Sequence, residues 1–261
     1  MIKLFNFFIL IIFAVSVSAQ GELLEEQEVF FEKEKVYYFK ANTNGVGAGI
    51  GLHKRITFFK RRIFGLELNY IKSYKEYKVQ NEYYNPQKKF IFGKINNVLI
   101  LRGYNGIYRE LFSKQDKDGI AIGYSFIGGI SFAFLKPIYY EVVDSIKIRD
   151  NIKYIYTSYK KFNSSIHQPN DIYGKAPFII GINEIKISPG FFCGTSALFN
   201  FSNDQKKIRI LETGLLMEYF IFPVQIMFKN PNEKSKFYEN RFFVTLSLIY
   251  KIGNVILKHD L

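Results

Sequence analysis

Residues 241–252 read Arg-Phe-Phe-Val-Thr-Leu-Ser-Leu-Ile-Tyr-Lys-Ile. In an extended chain, successive side chains point to opposite faces. Phe242, Val244, Leu246, Leu248, Tyr250 and Ile252 therefore share one face, and Arg241, Phe243, Thr245, Ser247, Ile249 and Lys251 share the other. The apolar row is unbroken, while the opposite row begins and ends in a cation. A half-buried soluble strand alternates as well. A strand crossing a bilayer needs about 9–11 residues with one face toward lipid, and this segment has that length and that face.

The same pattern recurs upstream. In 119–135, Ile120, Ile122, Tyr124, Phe126, Ile130, Phe132 and Phe134 form a row opposite Ala121, Gly123, Ser125, Gly129, Ser131 and Ala133. Bulky residues on one face and small ones on the other suit a narrow barrel, whose interior has room for little more than its own side chains. In 45–58, Gly45, Gly47, Gly49 and Gly51 oppose Val46, Ala48, Ile50 and Leu52. In 63–71, Phe64, Leu66, Leu68 and Tyr70 oppose Gly65, Glu67 and Asn69. In 208–221, Leu211, Leu215, Met217, Tyr219 and Ile221 oppose Glu212, Gly214 and Glu218. Segments 90–103, 178–187 and 191–201 alternate less cleanly, and each reads as a strand. The fold expected is all-β, an antiparallel transmembrane up-and-down barrel of about eight strands, an even number as bacterial single-chain barrels have.

The connections are unequal. Phe59–Arg62, Ser188–Gly190 and Asn203–Lys207 read as tight turns, and Lys72–Lys89, Glu110–Asp118 and Phe222–Asn240 as middling loops. Lys136–Pro177 reads as one long loop rich in tyrosine and isoleucine. Its aromatic content is that of an interaction surface or a lid rather than of a disordered segment. With eight strands and both termini on the periplasmic side, this loop falls on the periplasmic face, whereas long loops are usually extracellular. A further strand at Val36–Asn44, turning at Asn42–Gly45, or one within 222–240 removes the conflict, with ten strands as the upper count.

Composition places the barrel in the cell envelope. The chain has 261 residues, 48% hydrophobic and 18% aromatic, with a formal net charge of +13. Residues 1–19 read as a signal peptide: Lys3 precedes an apolar run, Leu4–Val15, that is too short to span a bilayer as a helix, and Val17-Ser18-Ala19 supplies small residues for cleavage. Residues 20–35 form an acidic N-terminal segment with six Glu and two Lys, and 36–261 are the outer-membrane barrel domain. The single cysteine, Cys193, excludes an internal disulfide and reads as a small residue on a strand. An exported chain does not meet nucleic acid, so the basic balance points to anionic headgroups, namely outer-membrane lipid and lipopolysaccharide, or to a solvated loop surface.

No constellation carries chemistry. Gly45–Gly51 lacks the spacing of a nucleotide loop and lies within a strand pattern. His53, His167 and His259 have no companion at metal-ligand spacing. Asp116-Lys117-Asp118-Gly119 is a turn, too short for a calcium loop. Ser164, Ser165, His167 and Asp171 lie close together in the long loop, but no nucleophile elbow surrounds either serine. No catalytic residue, cofactor or metal ligand is therefore assigned. Glu67, Lys94, Arg102, Glu212, Glu218, Arg241 and Lys251 point to the lumen side of their segments. Opposite charges there should pair and plug it.

Several stretches resemble a family of uncharacterised outer-membrane β-barrel proteins of the Bacteroidota. These are Phe134–Val143, Asn81–Asn85, Asp171–Gly174 with the strand after it, and Ile185–Gly190. The resemblance implies the fold and location and no activity. The reading that results is a non-enzymatic interaction or accessory subunit of the envelope, such as one in an assembly or secretion machine, whose protein partner is met through 136–177. Two other classes have discriminators. A lipid-modifying enzyme requires Ser164 or Ser165 within hydrogen-bond reach of His167. A soluble lipocalin-like barrel requires the apolar rows to point inward.

Overall fold

The computed structural model describes residues 31–257, apart from 82, 84–87, 115–118, 150–151, 164–167, 203–206 and 229–239. The signal peptide and most of the acidic segment lie outside the described residues. The described chain is built of β1 (Phe31–Asn42), β2 (Gly45–Thr57), β3 (Lys60–Ile71), β4 (Lys78–Gln80), β5 (Lys89–Ile91), β6 (Asn96–Phe112), β7 (Ala121–Pro137), β8 (Tyr139–Arg149), β9 (Ile152–Lys161), β10 (Ile172–Lys175), β11 (Lys186–Asn200), β12 (Lys207–Phe220) and β13 (Phe242–Leu257).

Eight of these strands close an up-and-down antiparallel barrel in the order β1-β2-β3-β6-β7-β11-β12-β13, with β13 returning to β1. Closure matters because every central backbone N–H and C=O then finds a partner and no edge is left to pair with another chain. The final pairing runs from Phe31 opposite Leu257 to Asn42 opposite Ser247.

The rows point as the alternation requires. On β13, Phe242, Val244, Leu246, Leu248, Tyr250 and Ile252 are exposed on the outer wall, while Thr245, Ser247, Ile249 and Lys251 are buried inside. Outward apolar side chains recur on each barrel strand, among them Phe39, Ile50, Leu66, Leu101, Ile130, Phe191 and Met217. This is the residue distribution of a transmembrane barrel, and the reverse of a soluble lipocalin-like one. The inward glycines have a steric role. A Cβ on Gly49 would run into the Tyr38 ring, and one on Gly65 into the Tyr104 ring. The bare glycine faces of β2 and β3 make room for two tyrosines in the lumen.

The strand count of eight stands, but three assignments differ from those expected. The first barrel strand is β1, which takes in the end of the acidic segment. The expected strand at 178–187 is instead a turn followed by a 3-10 helix, Ile182–Glu184, with Gly181 at φ 81°. The expected turn at Ser188–Gly190 lies inside β11. The Pro189 carbonyl accepts from Ile221 N–H, just past the end of β12 at Phe220. The missing N–H of Pro189 faces that same side, where only Ile221, past the end of β12, lies opposite it.

These corrections remove the topological conflict. The turns 58–59, 113–120 and 201–206 lie at the same barrel end as the start of β1 and the end of β13, hereafter the turn end. The connections 43–44, 72–95, 138–185 and 221–241 lie at the opposite, loop end. Residues 136–177 therefore sit away from the termini, and they are not an irregular loop. Strands β10, β8 and β9 form a three-stranded sheet in that order, and β4 pairs with β5.

Candidate functional site

Two regions hold the polar side chains that the fold gathers: the barrel lumen and the loop-end sheets. In the lumen, β1, β3, β6 and β12 converge on Arg102. Its Nε and Nη2 donate to the two carboxylate oxygens of Glu218 at 2.8 and 2.9 Å, and its Nη1 donates to Glu67 at 2.7 Å. Glu67 also accepts from Lys40 Nζ at 3.0 Å, from Asn69 Nδ2 at 2.5 Å and from the Tyr38 hydroxyl at 3.2 Å. Beside this network, Lys251 pairs with Glu212 at 2.5 Å. Arg102 is 1% exposed and Glu218 likewise. Such bidentate, charge-assisted contacts are the strong class of hydrogen bond.

Apolar layers close the lumen on both sides of the charges. Toward the loop end, Ile71, Val98, Ile100, Leu135 and Phe220 pack with Val224 and Ile226. The last two come from residues 221–228, which fold across the mouth. Ile95 N–H donates to Ile226 O at 2.9 Å, and Phe228 N–H to Gly93 O at 2.6 Å. Toward the turn end, Val36, Ile63, Tyr108, Leu198, Ile208 and Ile210 form a second cluster. Beyond it Glu34 meets His53 at 3.1 Å and Arg61 at 2.8 Å.

Of the lumen charges expected from sequence, Glu67, Arg102, Glu212, Glu218 and Lys251 lie inside and pair. Lys94 does not line the barrel. It sits in the connection before β6 and pairs with Glu76 at 2.7 Å. Arg241 occupies the turn before β13 and also has a partner. Sequence reasoning missed Lys40, Tyr38 and Glu34, all on β1. The available signal was the alternation of Glu34, Val36, Tyr38, Lys40 and Asn42 with Lys35, Tyr37, Phe39 and Ala41.

At the loop end, Phe90, Ile138, Tyr140, Val142 and Ile172 form a core joining the β4–β5 hairpin to the three-stranded sheet. The Tyr140 hydroxyl receives Lys94 N–H at 3.0 Å and donates toward the carbonyls of Ile91 and Lys94. Burial raises its pKa well above the ordinary tyrosine range. Tyr154, Tyr156 and Tyr159 of β9 remain exposed, as do Phe178 and Ile179. Lys88 bonds Glu141 at 2.8 Å, and that hydrogen bond raises the Lys88 pKa.

Ser164, Ser165 and His167 lie outside the described residues, as do His259 and Asp116–Asp118. Asp171 closes the 3-10 helix Pro169–Asp171, its carboxylate accepting from Gln168 N–H at 2.9 Å. His53 faces the lumen, and Gly45–Gly51 form the lumen row of β2. Cys193 is exposed on the outer wall of β11. Among the described residues, no group of His, Cys, Asp and Glu is placed to hold a metal ion.

No family model matches the chain, and none of the curated proteins compared with it matches. The resemblance to a Bacteroidota barrel family finds no support there. Among solved structures, the chain is similar to the crystal structure of Neisserial surface protein A, with 9% sequence identity and a TM-score of 0.40. The match covers 87% of this chain and 98% of that one.

Proposed function

We infer that this chain is an exported outer-membrane protein whose barrel is a closed, non-conducting anchor and whose loop-end sheets are its working surface. The observation that carries this reading is the inverted polarity of the wall. Apolar side chains cover the outside, and every described acidic side chain on the barrel strands, Glu34, Glu67, Glu110, Glu212 and Glu218, lies on a lumen row. Among the described residues, the exposed charge of the outer wall lies near its turn-end margin, and all of it is positive. Lys35, Lys54, Lys60, Arg62, Arg109, Lys207 and Arg209 are exposed there. Cations bordering an apolar band fit the headgroup level of a bilayer containing anionic lipid. Both described chain ends and the short turns belong on the periplasmic side, and the long connections outside, as bacterial barrels are arranged.

The role is that of a non-enzymatic interaction or accessory subunit of the envelope, with outer-membrane lipid and lipopolysaccharide around the barrel. A protein partner would meet the exposed aromatics of β9. Aromatic side chains give large contact area at low entropic loss, which is why they are enriched in interfaces. Two experiments test this. In cell fractionation the protein stays with outer-membrane vesicles through a carbonate wash; recovery in the soluble periplasm rejects the anchor. Changing Tyr154, Tyr156 and Tyr159 together to Ser removes the exposed aromatics of β9 while leaving Tyr140, Val142 and Phe162 in their core. A co-purifying envelope protein is then lost while heat-modifiable gel mobility is kept. Retention of every partner rejects the contact surface.

A further inference from the structure

The two accessory sheets and the barrel rim enclose a cavity of about 300 Å³ at the loop end, with five lysines in its wall. Its polar floor is ordered: Lys94 Nζ bonds Glu76 at 2.7 Å and approaches the Tyr70 hydroxyl at 3.4 Å, which in turn donates to Asn97 at 3.1 Å. The Lys94 and Glu76 charges satisfy each other. Lys72, Lys78, Lys89 and Lys175 remain, from four different segments, with no carboxylate within ion-pair distance among the described residues. All four are exposed, so water screens their mutual repulsion, and an anion seated among them would meet several ammonium donors at once. A carboxylate supplies a single charge. A phosphate monoester supplies about two, with three acceptor oxygens for ammonium donors. Phe90, Ile138 and Tyr140 form the apolar wall, and a volume near 300 Å³ lies at the small end of ligand cavities.

We propose that this cavity is a binding site for a phosphate monoester, with Lys72, Lys78, Lys89 and Lys175 as its cationic contacts. Two sources share that chemistry: the phosphate of a glycolipid headgroup, and a soluble sugar phosphate. The lipid source rests on the proposed orientation, with the loop end facing the outer leaflet; the soluble source does not.

The test uses the full mature protein and the variant Lys78→Gln/Lys89→Gln, whose exposed side chains make no contacts the fold needs. Lys160→Gln/Lys186→Gln removes the same charge from the same end outside the cavity. In zwitterionic detergent, glucosamine 1-phosphate is titrated and followed by phosphorus NMR, with glucosamine added as a phosphate-free competitor that should not displace it. In phosphatidylcholine nanodiscs, retention of lipid A is compared with that of its dephosphorylated form by native mass spectrometry. Saturable binding of glucosamine 1-phosphate, weakened at least about tenfold in the cavity variant and unchanged in the control, supports the site and a soluble source. Retention of lipid A alone, lost in the cavity variant, supports the site and a headgroup source. The proposal is overturned if neither probe binds, if the dephosphorylated lipid is retained equally, or if the cavity variant binds as tightly as the wild type. Failure of the protein to insert into nanodiscs would count against the membrane anchor, and the detergent titration alone would then decide for or against the cavity.

Discussion

Replacing Arg102 by Met tests whether the lumen is a dry, charge-paired interior. Arg102 makes two bonds to Glu218 and one to Glu67. Glu67 keeps Lys40, Asn69 and Tyr38 when the guanidinium is removed. Glu218 has no other cation in reach among the described residues and is left as an unpaired buried carboxylate. Removing one partner of a buried pair destabilises by about 3–5 kcal/mol. Arg102→Met/Glu218→Met removes the orphan charge and keeps the volume. Since apolar replacement of a buried pair is often neutral, the double variant should lie within about 1 kcal/mol of the wild type. The chain has no tryptophan, so urea unfolding in lipid vesicles is followed by far-ultraviolet circular dichroism and heat-modifiable gel mobility. A single variant costing less than about 1 kcal/mol would mean that water reaches Glu218. A double variant as unstable as the single would mean that the loss does not come from the orphan carboxylate. Either result refutes the dry lumen.

Three further outcomes are expected. Leu246, 58% exposed on the outer wall, should cost about 2–4 kcal/mol when changed to Arg and well under about 1 kcal/mol when changed to Phe, measured by the same unfolding; equal costs would put that face in water. The purified protein in planar bilayers should give no steady conductance, because the charge layer and both apolar layers fill the bore; a stable channel of porin size contradicts this. Gly65→Val should displace the Tyr104 ring and destabilise by about 1–3 kcal/mol, while Gly103→Ala, whose Cβ would meet only Leu66 at 3.6 Å, should change stability by less than about 0.5 kcal/mol. Matching losses at both glycines would mean that Tyr104 does not fill the lumen.

The barrel was legible where one face is uniformly apolar and the other uniformly small or polar, as on β7 and β13. A period of two admits no other register once one face must meet lipid. On β1 it was legible only in part: Val36–Asn44 could be read as a further strand turning at Asn42–Gly45, but Glu32–Lys35 alternates charges of opposite sign. That string reads as a solvated segment, and the role of Glu34 depends on His53 and Arg61, which only strand pairing brings beside it. The Ser188-Pro189-Gly190 string carries a turn signal that β11 overrides, because Pro189 falls beyond the end of its neighbour on the side where a donor is missing. Conversely, Phe178, Ile179, Ile182 and Ile185 mimic a strand although Pro177 and Gly181 break it. The pairing of Arg102 with Glu67 and Glu218 was foreseeable as charge matching in a narrow bore. The lysine-lined cavity was not, because its four contacts come from four segments that meet only after β4, β5, β8 and β10 have folded over the rim.

The apolar wall facing lipid is the central claim, and the native cysteine tests it without a mutation. Cys193 is exposed at the middle of β11, opposite Met217 of β12 and Gly128 of β7, with Phe191 exposed on the same row. A nitroxide attached there in detergent, after which the barrel is reconstituted into vesicles, is read by its collision rates with oxygen and with a water-soluble nickel complex. Oxygen partitions into the hydrocarbon and the nickel complex stays in water. A wall in lipid predicts relaxation dominated by oxygen, with the nickel complex nearly silent. Relaxation dominated by the nickel complex would contradict it.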